Sequence, residues 1–238
     1  MRSLMELPAR SSALRGLALV GAALAVVAVL GLWRVSAVLF AAHMTQHLLL
    51  IALAAPLLVA GGVEARCRPV TAWCLFVGVF LFWHWPAAFQ WAALHPVAEL
   101  LELGSILFVA WLFWSVALGD EAISHGARAL YVMTGAVLTD LPGVVMLFAP
   151  RPICVMPHEN AAAFGLTPLQ DQQIAGLLMW VPANLVFFGV ATLLFALWIK
   201  EPHRGEPRQK MTARRPRTAR LPASHPMSSD SPHPLVTS

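Results

Sequence analysis

The chain has 238 residues, 58% of them hydrophobic and only 12% charged, and its mean hydropathy is +0.69. Soluble domains carry about twice that charged fraction and have no core able to hide so much apolar surface, so the composition calls for lipid as solvent. The formal charge of +4 is unevenly spread: eight of the sixteen Lys and Arg fall between Lys200 and Arg220, and a basic tail after the last apolar run reads as a topology signal and a contact with membrane lipids, not as a nucleic-acid surface.

A transmembrane helix takes about 20 mostly apolar residues. Six runs meet that length, at residues 15–33, 43–60, 70–89, 100–118, 128–148 and 173–199. The first follows Arg2, Arg10 and Arg15 and precedes a weak cleavage-like Val35-Ser36-Ala37, but its apolar stretch is longer than a signal core, so it is read as a retained span. The predicted fold is all-α: a polytopic transmembrane helical bundle over residues 15–199. Residues 1–14 are read as a cytoplasmic N-terminus, and 200–238, rich in Pro, Ser and Arg, as a disordered basic cytoplasmic tail.

Six spans put both ends on one side, together with the loops near Arg66 and Arg128. That side collects fourteen of the sixteen basic residues and leaves only Arg34 and Arg151 opposite. Positive charge marks the cytoplasmic face, so both termini are expected there. The three cysteines, Cys67, Cys74 and Cys154, form no CxxC and no disulfide framework.

This topology gathers metal-capable groups at the outer level. His43 and His47, in HMTQH, stack one turn apart on a helix, within reach of one ion. Met44 stands where a zinc protease would need its glutamate, so a peptidase lacks its general base, and thioether beside imidazole favours Cu(I). His84 lies between Trp83 and Trp85, and His95 in the following loop. Glu99 and Glu102 share a helix face at the outer start of the fourth span, where they either pair with the histidines or face water. Cys154, Met156 and His158 form a soft-ligand set in the outer loop, ahead of Asp171. Asp140 is near the centre of the fifth span, where an ionisable group costs roughly 3 kcal/mol and marks a functional candidate. Its rival reading is a protonated acid hydrogen-bonded within the bundle, beside the carbonyl that Pro142 frees. The inner side holds His125 and the tail histidines His203, His225 and His233 with no other site-like feature.

Four stretches together resemble the multi-spanning CtaG family of cytochrome c oxidase assembly proteins. They are HMTQHLLLIALAAPLLVAGG from His43, FWHWPAAFQWAALHP from Phe82, LFAPRP from Leu147 and GLTPLQDQQIAGLLMWVPANLVFF from Gly165. The resemblance implies a multi-pass protein of the bacterial inner (plasma) membrane that matures a haem–copper oxidase, with copper supplied to its CuB centre. It implies functional groups at His43, Gln46, His47, His84, His95, Asp171, Gln172, Gln173 and Met179. Relatives carry a further His after the glutamate of the fourth span, where this chain has Leu103. A site here then has three imidazoles at most, or recruits Met44, Glu102 or Asp171. Partners implied are cytochrome c oxidase subunits and a periplasmic copper donor.

The expected action is transfer, not enzymatic catalysis: no nucleophile–base pair, nucleotide loop or paired carboxylates stand out. Cu(I) on imidazoles with a thioether nearby can be handed on by ligand exchange. The competing readings are a haem b electron carrier with His47 and His84 as axial ligands, a copper permease with Asp140 and Met146 or Met179 along its path, and a scaffold that never touches metal.

Overall fold

A computed structural model describes residues 6–119, 122–154, 156, 158 and 160–201, with side chains from residue 12 onward. The expected tail from residue 202, with His203, His225 and His233, lies outside the described residues. Among those described the fold is all-α, with no strand. Five of the described helices are long and apolar enough to cross a membrane, or six if a bent pair counts as one span.

Helix α1 (Glu6–Val26) runs on into a π-helical turn, Val27–Gly31. Helix α2 spans Phe40–Ala60 and contains its own π-helical stretch, Leu49–Ala54. The two wider turns offer carbonyls that side chains take up. Gln46 Nε2 donates to Ala28 O at 2.8 Å, and Trp114 Nε1 donates to Ile51 O at 2.7 Å. Close packing supports the pairing, since a Cβ on Gly21 would stand 2.9 Å from Ala54 O and from Leu58 N.

The expected straight third span, residues 70–89, is instead two helices, α3 (Pro69–Trp83) and α4 (Pro86–Leu94), bent by 72°. The cause is Pro86: its ring drives the preceding residue out of the helical region, and Trp85 is extended at φ −72°, ψ 131°. Pro96 repeats the device after His95 and opens α5, which runs as Pro96–Gly119 with a π-helical end.

Helices α6 (His125–Phe148) and α7 (Pro168–Ile199) form a tight pair. A Cβ on Gly176 would sit 2.6 Å from Gly143 O and 2.9 Å from Leu147 N, so the backbones meet with no room for a side chain. The start of α7 is fixed by a capping box, Thr167 with Gln170, ahead of Pro168.

Helices α2 and α5 are central, with 56% and 61% of their most apolar stretch buried against 11% within Ser12–Gly31. The residues around Phe40, Glu102 and Asp171 meet at one end of the bundle. At the other end Trp111 Nε1 donates to Val63 O, buried Arg128 reaches the carbonyls of Ala117 and Leu118, and His125 pairs with Glu201.

Candidate metal centre

Three side chains converge inside the Phe40 end. His43 and His47, one turn apart on α2, have ring centroids 4.7 Å apart. The Nε2 atoms of both lie 3.4 Å from the same oxygen, Glu102 Oε1, brought in by α5. One ligand atom from each of the three falls within 4.8 Å of the others, and all three residues are at most 2% exposed. Of the two readings open for Glu102 in the sequence, the structure selects pairing with the histidines.

The hydrogen bonding of this group is incomplete. His43 Nε2 is bonded to Glu102 Oε1, whereas His47 Nε2, at the same distance, is not aligned for a hydrogen bond. His47 Nε2, both Nδ1 atoms and Glu102 Oε2 are buried with no partner. Each such atom costs about 1–3 kcal/mol unless something else satisfies it.

His84 stands beside the group, not inside it. It caps α3 at the bend, where its ring stacks on Phe80 at 4.0 Å and touches His47 edge-on at 5.4 Å. Its Nδ1 donates to Phe80 O at 2.7 Å, which leaves Nε2 as a bare, buried acceptor without a partner. The break at Pro86 thus has a consequence for the site, because it ends α3 at the imidazole.

Other sequence candidates serve the frame. Both oxygens of Asp171 accept backbone N–H groups at the start of α2, from Phe40 at 2.7 Å and Ala41 at 2.9 Å. It caps that helix. Gln172 Oε1 accepts from Ile153 N and Cys154 N while its Nε2 donates to Met146 O, so it pins the loop after α6 to α7. Gln46 ties α2 to α1. Met44 is buried in the main apolar cluster, three residues before His47. His95 is exposed and bonds to Trp91 O. Cys154 and Met156 are buried while His158 is exposed, so that set divides between core and surface. Burial pushes the Cys154 thiol up to about 11. Asp140 is not alone in its span: Asn184 Nδ2, from α7, donates to its Oδ2 at 2.9 Å. Asn184 was missed in the sequence, although an amide inside an apolar span is itself a signal.

Residues 62–201, more than half of the chain, match the family model of the cytochrome c oxidase caa3 assembly factors, CtaG. The chain belongs to this family. No curated protein and no solved structure matches it. Within this assembly factor the family match takes in His84, Glu102, Asp140 and Asp171, and begins after His43 and His47. The family therefore speaks for association with cytochrome c oxidase. The convergence of α2 on Glu102 is the structure's own finding.

Proposed function

We propose that this assembly factor holds one copper ion, as Cu(I), between His43, His47 and Glu102, and passes it to an oxidase subunit for the CuB centre. The observation that carries the reading is three buried donors converging within 4.8 Å while several of their polar atoms lack any protein partner. An ion among the two Nε2 atoms and Glu102 would satisfy His47 Nε2. His84 Nε2, one ring away, is the natural added or exchanging ligand, and the Met44 thioether suits the same soft ion.

Charge favours a monovalent cargo. Two neutral imidazoles and one carboxylate sum to −1, which Cu(I) cancels. A divalent ion would leave net charge in the bilayer, at a cost of several kcal/mol. Low coordination suits transfer, since an incoming ligand can exchange without a crowded intermediate. A haem b carrier is less well supported: the edge contact of His47 with His84 leaves no gap for a porphyrin between the rings.

In the orientation favoured by the basic residues, both termini face the cytoplasm of a bacterial inner membrane and the site lies near the outer surface. A periplasmic donor then reaches it from outside, and oxidase subunits meet it laterally. The test is a deletion strain, with activity, haem and copper measured in the isolated oxidase, with and without added copper. The expected result is lost activity, retained haem, depleted copper, and rescue by excess copper or by the wild-type chain but not by His47→Ala. Full rescue by His47→Ala would leave a metal-free scaffold as the better account.

A further inference from the structure

The histidine centre is not a dead end. A cavity continues from His47 between α2, α3, α6 and α7 and reaches Thr139, Asp140, Met179 and Asn184. Its walls are mostly apolar, with Phe76, Phe80 and Phe187 among them. It has about 30 Å³ of room for water-sized occupants, which is space for roughly two waters or one small ion, and none for an organic ligand.

The polar groups on its far wall are unusual for their depth. Asp140 is sixteenth of the 24 residues of α6, well inside the span. Its one hydrogen bond, from Asn184 Nδ2, occupies Oδ2. The other carboxylate oxygen and the Asn184 carbonyl oxygen make none among the described residues. Thr139 adds little, because its hydroxyl already donates to the carbonyls of Gly135 and Ala136. Intramembrane carboxylates face cavities and mark ion pathways because the bilayer makes an idle one expensive. Here the carboxylate shares a cavity with a thioether, Met179, and with one of the proposed copper ligands.

We propose that this cavity is a second, weaker station for the same monovalent cation, held by Asp140, the Asn184 carbonyl and the Met179 sulfur. The inference rests on copper binding at the histidine centre, from which the station would be filled. The carboxylate balances the single positive charge, and the thioether supplies a soft donor. The ion would then have an exit toward the middle of the bilayer, where a laterally docked membrane subunit could receive it.

The test is anaerobic titration of the full-length protein, purified in detergent, with Cu(I) against a chromophoric competing chelator. The wild type is expected to take up two ions per chain, the second at least about tenfold more weakly. Asp140→Asn and Met179→Leu should each lose the weak ion and keep the tight one, whereas His47→Ala should lose the tight one. Met179→Leu conserves volume and leaves the Asp140–Asn184 bond untouched, so it remains decisive if Asp140→Asn fails to fold. A single ion per chain, lost in His47→Ala, would overturn the second station and leave the first standing. Two ions retained in Met179→Leu and Asp140→Asn would also overturn it. No uptake by the wild type would remove both sites.

Discussion

Asp171 and Glu102 show how two buried acids of one bundle take opposite roles. Both oxygens of Asp171 are used by the first N–H groups of α2. It acts as a cap from another helix, and Asp171→Ala, which leaves two buried N–H groups unpaired, is expected to cost at least about 1–3 kcal/mol of stability. A thermal melt in detergent should fall, with the number of copper ions bound unchanged. Loss of the tight ion from a variant that melts like the wild type would instead make Asp171 a ligand. Glu102 has one oxygen shared between two imidazoles and another with no partner. Glu102→Gln keeps the shape and removes the charge, so Cu(I) affinity should drop by at least roughly 10- to 100-fold, the range seen when a residue that only hydrogen-bonds a metal ligand is lost. A competition titration reads this directly, and unchanged affinity would take Glu102 out of the site.

At the scale of elements, apolar length alone located the spans, because the bilayer demands it whatever the packing. Interruptions do not show in hydropathy, and the expected unbroken span at 70–89 passed over the prolines that cause them. Pro86 and Pro96 each push the preceding residue out of the helix, and the 72° bend between α3 and α4 follows from the first of them. The π-helical turns had no such marker, since they answer to Gln46 and Trp114 reaching across from other segments of the bundle. The α6–α7 contact was equally invisible, yet it rests on two glycines. In Gly176→Ala the new methyl meets the backbone of α6, at Gly143 O and Leu147 N, not the end of a movable side chain. Overpacking of this kind costs about 1–3 kcal/mol. The melting temperature should fall clearly, whereas Gly16→Ala, with open space around its Cβ, should leave it unchanged or raise it slightly, since Ala suits a helix better than Gly. Equal melts for the two variants would mean that α6 and α7 are not packed so closely.

For the whole molecule, the site was legible only as far as a single helix could specify it. His43 and His47 share a face by the helical repeat alone. Which way Glu102 turns, what Asp171 holds and who partners Asp140 depend on spans far apart in sequence; the Asp171 bond to Phe40 closes a separation of 131 residues. Orientation in the membrane is likewise a property of the entire chain, and its cysteines can report it. Cys67 lies in the loop with Arg66 and Arg68, the side expected to be cytoplasmic, and His158 is exposed in the loop at the opposite end. A membrane-impermeant maleimide should therefore label His158→Cys in intact cells and reach Cys67 only after permeabilisation. Native Cys154 should stay silent in both cases at neutral pH. It is buried, and because its thiol is pushed up to about 11, the reactive thiolate is scarce below that pH and labelling should rise only as the pH approaches it. Labelling of Cys67 in intact cells, with His158→Cys protected, would invert the topology. The histidine centre would then open to the cytoplasm, and its copper would have to come from a cytoplasmic donor.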